Sequence, residues 1–309
     1  MPPDDDSVPQ LAAAETTDKL EDEEDREFYR EDNLESEGSG EFQIWIRVGI
    51  LLVSFTIFLA LWQLIASLTN NSLIVSTPLP VFRSLFNLLQ NQVPSAAQGV
   101  QMPVAAILQT FEVIILGFGL GVIVGIPVGI IAGRWSSAEA VIDPWVSATY
   151  SIPVVALIPV LYYALGGSFF ADVFITFLLS VFTIIVNTQN GVRYMSKSLA
   201  EVGMSFRASE IQFLSKVVLP ASLPDIVTGL RIGIGRAILG AILAEALLSE
   251  SGLGGLMMTF QALYDTPFMM ATIVIIAILG IAVLQLPKIL ENRLFKWRES
   301  GQLSGGFGN

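Results

Sequence analysis

Six apolar stretches, near residues 44–67, 107–133, 144–165, 170–188, 224–248 and 269–286, leave this chain few ways to fold. Each is close to or above the ~20 residues with which an α-helix crosses the ~30 Å hydrocarbon core of a bilayer. Inside lipid every backbone N–H and C=O must be paired by the protein itself, so such stretches resolve as spanning helices. The composition agrees, since 53% of the 309 residues are hydrophobic and only 14% are charged. The expected fold class is an all-α membrane protein with six transmembrane helices.

The net charge of −12 belongs to one end of the chain. Residues 1–41 hold 16 acidic and 3 basic residues, a net of −13, while the remainder holds 12 and 13, a net of +1. The run Glu21–Asp25 and the scarcity of apolar residues around it predict a disordered acidic tail, since little surface is available to bury. It lacks the basic start and early apolar core of a signal peptide. The expected division is a tail over 1–41, a six-helix domain over 42–300 with a long polar loop at 190–220, and a flexible end over 301–309.

Cysteine and histidine are both missing from the sequence. Disulfides, thiolate metal ligands and imidazole acid–base chemistry are therefore excluded. No metal site and no nucleic-acid partner are expected. No Gly-x4-Gly-Lys-Ser/Thr stretch is present, so nothing resembles a P-loop, and any ATP would be bound by another chain.

Basic residues orient the helices. Arg47, Arg134, Arg193, Lys197, Arg207, Lys216, Lys288, Arg293, Lys296 and Arg298 all fall on one side of a six-helix arrangement, and the opposite loops carry only Arg83. Basic loops stay inside, so both termini and the 190–220 loop are expected in the cytoplasm of a cell with this chain in its inner membrane.

Several local patterns carry further expectations. Gly117, Gly121, Gly125, Gly129 and Gly133 recur every fourth residue, a stripe that lets another helix approach closely. Arg134, Glu139 and Asp143 form a short polar loop after it. Pro153 and Pro159 predict a kink or break in the third stretch. A short amphipathic helix is expected near 80–91 on the outer surface, and a re-entrant or surface segment over Ser249–Pro267.

Three ionisable residues, Arg231, Arg236 and Glu245, lie in the fifth stretch, where charges face protein or water. Arg236 and Glu245 are nine residues apart and point to opposite faces; Arg231 and Glu245 are about 21 Å apart along the axis. Their partners must come from elsewhere. Arg236, the deepest, is the foremost translocation-path candidate, as a buried guanidinium implies a paired or hydrated site. Arg231 is placed between that role and snorkelling at the inner end. Glu245 is placed between the path and the outer interface.

Residues 201–220 carry Glu201, Arg207, Glu210 and Lys216, so they cannot lie in hydrocarbon, and their apolar residues are spaced as one helical face. Leu219–Pro220 is expected to end that helix. Glu201, followed 18 and 19 positions later by Leu219 and Pro220, resembles the coupling loop of ABC importer permeases. The resemblance spans residues 44–298. It includes Ser76-Thr-Pro78-Leu-Pro80, Gly125-Ile-Pro-Val-Gly-Ile-Ile-Ala-Gly133, Ile152-Pro153, Leu157-Ile-Pro159, Asn187-Thr, Gly191-Val-Arg193, Gly229-Leu-Arg231, Ala244-Glu245 and Ser251-Gly-Leu-Gly254. These are similar to the nitrate/sulfonate/taurine branch. Two positions depart from the family: Glu201-Val202-Gly203 stands for Glu-Ala-Ala, and Arg207 stands for a glycine. Either Gly203 takes over a turn there, or two short helices run on as one.

The resemblance implies a type I (MetI-like) permease with a cytoplasmic coupling helix, a transport subunit and no enzyme. Glu201, Gly203, Arg207, Ala208, Ser209, Leu219 and Pro220 would meet an ABC ATPase subunit, which binds the ATP and Mg. A second permease subunit, identical or not, an extracytoplasmic solute-binding protein and membrane lipids complete the implied partners. The implied solute is a small oxyanion or organic acid such as nitrate, a sulfonate or taurine, with a vitamin precursor as the alternative. An ion-driven secondary transporter is a further alternative, against which stand the lack of a clear internal repeat and the few carboxylates in the spans.

Overall fold

A computed structural model describes residues 46–69, 71, 73–97, 99–196, 201, 209–249 and 251–294. The chain divides into two compact units, Met1–Leu68 and Thr69–Asn309. The described part of the first, 46–68, belongs to helix α1, Ile46–Thr69, whose 24 residues are apolar enough to cross a membrane. The acidic tail, Lys197, Ser198, Gly203, Arg207, Ala208 and the C-terminal residues from 295 onward lie outside the described residues.

The second unit begins with α2, Pro78–Leu89, at the position where a surface helix is expected. Val81, Ser84 and Leu88 are its buried residues, and it packs chiefly against the last helix, α9, Thr266–Leu294. α3, Pro103–Arg134, starts earlier than its apolar pattern, because Pro103 needs no hydrogen-bond partner at the first helical position. Trp135 alone separates α3 from α4, Ser136–Ser151. Glu139 and Asp143 are therefore helical, which corrects the expected loop: spaced four apart, they share one face of α4.

The third stretch breaks where proline requires it. α4 and α5, Val154–Ala164, meet at an angle of 99° across Ile152–Pro153. Pro159 lies inside α5 without a second break. Gly166 and Gly167, at φ +79° and +60°, then turn the chain into α6, Phe169–Arg193. That backbone region suits glycine because no Cβ obstructs it.

The next helix corrects two boundaries. It runs unbroken from Glu210 to Leu248, 39 residues, where the apolar pattern predicts a start near 224 and an end of the preceding helix at Leu219–Pro220. This helix, α7, is π-helical at Leu214–Val218 and again at Glu245–Ser249. The wider π turn lies directly ahead of Pro220, where a regular helix would press the proline ring on the carbonyl four residues back. α8, Gly252–Ala262, occupies the segment expected to be re-entrant or superficial. Among the described residues five helices are long and apolar enough to span a membrane, and six if the bent α4–α5 pair counts as one crossing.

α6 is the centre of the second unit. On one side it receives the glycine stripe of α3. A Cβ at Gly117, Gly121 or Gly129 would lie 2.5 to 2.6 Å from atoms of Thr176, Ser180 or Thr188. At Gly125 and Gly133 it would meet Ile184 and Val192 at 2.9 and 2.7 Å. The partners on α6 thus also recur every fourth residue, and residue numbers rise together, so α3 and α6 are parallel. On its other side α6 meets Gly229, Gly233 and Gly240 of α7, against Asn187, Ile184 and Thr176. Here the numbers run oppositely, so α7 is antiparallel to both. Without a hydrophobic drive inside lipid, such close approach supplies the dispersion contacts that hold the three helices. Val113, Ile114, Val173, Ile234, Ala237, Ala241 and Val283 form a fully apolar cluster between α3, α6, α7 and α9.

Candidate functional site

Three groups of polar residues interrupt this apolar frame, one at each end of α7 and one along its exposed side. At its start, Ser209 caps the helix. Its hydroxyl accepts the Gln212 N–H at 3.4 Å, and the Gln212 side chain accepts the Ser209 N–H at 3.1 Å. This reciprocal box satisfies two amides that helix formation leaves open. The Glu210 carboxylate lies 3.2 Å from Arg134 at the end of α3, and the Arg134 guanidinium sits 5.6 Å from the centre of the Phe213 ring. Beside them the i, i+4 pair Glu139 and Asp143 meets α6. Glu139 is ion-paired to Arg193, and Asp143 accepts from the Gln189 amide at 2.9 Å. Exposed pairs of this kind contribute about 0–1 kcal/mol each, so they set register more than stability.

Of the residues assigned to coupling, Glu201 is helical and exposed, Ser209 is exposed at its cap, and Leu219 and Pro220 lie within α7. Gly203, Arg207 and Ala208 are outside the described residues.

Midway along α7 the two faces differ. Ser222, Ile226, Gly229, Gly233, Ala237, Gly240 and Ala244 are buried against the core. Asp225, Thr228, Ile232, Arg236 and Leu239 form an exposed stripe at helical spacing, with Arg231 exposed beside it. Arg236 is thus not buried within its own chain, contrary to the expectation for the deepest cation. Its guanidinium is presented outward from a membrane-spanning helix.

At the far end of α7 lies Glu245, which the sequence places between the path and the outer interface. Glu245 is fully buried. The Thr110 hydroxyl of α3 donates to both of its carboxylate oxygens, at 2.9 and 2.8 Å. The Gly254 N–H donates to Oε2 at 3.0 Å, and the Leu253 N–H donates to the Thr110 oxygen at 2.8 Å. The first turn of α8 is therefore satisfied by a carboxylate and by the hydroxyl that binds it, a favourable arrangement at a helix N-terminus. Outside this core, the Gln101 side chain accepts the Gly252 N–H at 2.8 Å and donates to Gln109 at 2.7 Å. Gln109 in turn donates to the Ser251 hydroxyl at 2.8 Å. The buried Asp172 of α6 acts on Glu245 electrostatically.

Thr110 and Gln109 escape sequence reasoning because single polar residues in an apolar helix have no pattern, and Gln101 because it lies in the irregular segment before that helix. The signal for their partner was the Ser251-Gly-Leu-Gly254 motif. Gly252 has φ +70°, and a side chain there would collide with the Glu245 carboxylate. Among the described residues no cluster of three or more His, Cys, Asp or Glu can hold a metal.

Comparison with known proteins places this geometry. The model of the binding-protein-dependent transport system inner membrane component matches residues 125–296. A probable ABC transporter permease protein of Brucella abortus is 31% identical over 252 residues, covering 82% of this chain and 96% of that protein. A putative aliphatic sulfonates transport permease protein, SsuC of Bacillus subtilis, is 30% identical over 257 residues, covering 83% and 89%. A chain of the MetNI methionine ABC transporter, solved in inward-facing conformations, superposes with a TM-score of 0.55 at 19% identity, over 62% of this chain and 95% of its own. That likeness establishes the type I permease architecture. The chain is a multi-pass membrane protein, a transport subunit rather than an enzyme, and it belongs to the binding-protein-dependent transport system inner membrane component family as an ABC importer permease.

Proposed function

We propose that this chain forms half of the path of an ATP-driven importer that carries a small oxyanion or organic acid, of the sulfonate kind, into the cytoplasm by alternating access. The observation that carries it is the exposed stripe of α7, with Arg236 and neighbouring Arg231 on a membrane-spanning helix. A guanidinium facing lipid there would be costly, so the stripe is turned to water or to protein. A planar cationic fork on such a stripe suits a sulfonate or carboxylate solute. The sulfonate relative supports the same solute class.

In this function a second permease subunit faces the stripe, and an extracytoplasmic binding protein delivers the solute. A separate ATPase subunit binds ATP and Mg and engages Glu201, Gly203, Arg207, Ala208 and Ser209. The end of the helices bearing Arg134, Arg193 and Lys216 is cytoplasmic, as the distribution of basic residues supports for an inner-membrane protein. Residues 1–41 serve as a solvated tail outside the membrane domain.

The test is uptake into proteoliposomes holding the permease with its ATPase and binding protein. Radiolabelled alkanesulfonate should enter only with ATP inside the ATPase-facing compartment. Arg236→Ala should lower uptake at least tenfold while the amount of assembled complex stays within about twofold, the size expected for one charge-assisted hydrogen bond. Arg236→Lys should retain part of the uptake. Equal losses of protein and uptake in Arg236→Ala would assign the residue to packing instead.

A further inference from the structure

α3, α7 and α8 meet at one buried carboxylate to which solute passage assigns nothing. We propose that Glu245 is a positioning residue: together with Thr110 it seats α8 on α3, so that the outer segment 251–262 moves as one piece with the α3–α6–α7 core.

Four observations converge on this joint. First, Glu245 is bound from two other elements at once, by the Thr110 hydroxyl of α3 and by the Gly254 N–H of α8. Second, the fit leaves no slack. Gly252 has no room for a side chain beside the carboxylate, and a Cβ at Gly254 would lie 2.6 Å from the Ala246 amide nitrogen and 2.7 Å from the Glu245 Cβ. Third, Gln101 and Gln109 form an outer tier that ties the neighbouring Gly252 N–H and the Ser251 hydroxyl to the start of α3. Fourth, α8 has only 11 residues, and helices that short are marginal alone, so its place depends on such anchors.

The joint also completes a frame. Near the start of α7, Glu210 is paired to Arg134 at the end of α3. Near its finish, Glu245 is bonded to Thr110 in the first two turns of α3. α3 and α7 are thus linked at both ends with α6 enclosed between them. A displacement entering at the coupling segment is carried along one helix of about 58 Å and delivered to α8 through the Glu245 joint. One π turn, Leu214–Val218, lies just inside the Glu210 link, and the other, Glu245–Ser249, begins at the Glu245 joint itself, so widened helical geometry marks both junctions.

The cysteine-free chain allows a direct test, with Leu256→Cys of α8 as reporter; Leu256 is 3% exposed. The reporter is placed in four backgrounds: unchanged, Thr110→Val, Glu245→Ala and Glu245→Gln. Each is co-expressed with the ATPase, and labelling by a water-soluble maleimide is timed in membranes. Thr110→Val, which is isosteric, and Glu245→Ala should each raise the labelling rate about tenfold or more, the population change that leaving a buried polar group unsatisfied produces. Glu245→Gln keeps an acceptor for the Gly254 N–H and should change it less. In Thr110→Val, recovery with the ATPase and basal ATP hydrolysis should stay at the wild-type level while uptake falls several-fold. A Thr110→Val reporter that labels at the unchanged rate overturns the joint, even where Glu245→Ala fails to assemble. Equal declines of recovery, hydrolysis and uptake overturn its part in coupling. Only the uptake arm rests on the proposed importer function, since labelling needs no transport.

Discussion

At the scale of residues, the glycines of this protein divide into two kinds that composition cannot separate. Gly117 and Gly129 are pressed against α6, whereas nothing lies within 4 Å of a Cβ at Gly119 on the same helix. Adding a methyl group at Gly129 forces the Thr188 side chain or the Ile185 carbonyl aside, and overpacking of this sort costs about 1–3 kcal/mol. At Gly119 the same change only improves helix propensity, by about 1 kcal/mol or less. Gly129→Ala should therefore lower the melting temperature of the detergent-solubilised protein, and Gly119→Ala should leave it unchanged or raise it. Equal melting temperatures for the two variants would mean that the α3–α6 approach is looser than described. The same reasoning marks Gly252 as irreplaceable, because it combines a positive φ with the Glu245 carboxylate at its Cα.

At the scale of elements, α7 is the one that unites the functions. It starts at the Ser209 cap, passes the exposed arginine stripe and finishes on the buried Glu245. The segment proposed for ATPase coupling leads into the Ser209 cap, so in the proposed function force from an ATPase would enter a helix that continues into the membrane. We predict that Glu201→Ala, or a bulky side chain at Ala208, uncouples ATP hydrolysis from uptake while the protein still inserts. Arg207→Gly should be tolerated, because the coupling loop that this segment resembles has glycine there. Pull-down with the ATPase, solute-stimulated hydrolysis and uptake, measured side by side, distinguish these outcomes. Wild-type coupling in both the Glu201 and Ala208 variants would remove this segment from the mechanism.

At the scale of the whole molecule, the parallel pair α3 and α6 and the antiparallel α7 require that α4 and α5 together return the chain across the membrane. Helix direction then places Arg134, Arg193 and Glu210 on one side and the α8 segment on the other. Single cysteines test this topology cleanly, as the native chain has none. Ser39→Cys and Ser304→Cys should resist an impermeant thiol reagent in intact cells, while Gln92→Cys, at an exposed position after α2, should react. Gln92 is a better probe than neighbouring Asn91, which has φ +57° and accepts the Val104 N–H at 2.9 Å. Labelling of Ser304→Cys from outside would invert the orientation.

The spans, the break at Pro153 and the permease family were legible in the sequence, because apolar length, proline chemistry and ordered motifs act locally along the chain. The glycine stripe was legible as a contact face for the same reason. Its partner was not: Thr176, Ser180, Ile184, Thr188 and Val192 share no property but their spacing, and only the docked helices reveal it. Proline rules make Pro220 a terminator because they assume regular α geometry, and the π turn at Leu214–Val218 removes that assumption. Arg236 is exposed and Glu245 buried for a similar reason. Depth along a helix is written in the sequence, but burial depends on which elements fold against each face. Glu245 is enclosed by Thr110, more than a hundred residues away, and Arg236 is left outward because nothing among the described residues covers that stripe.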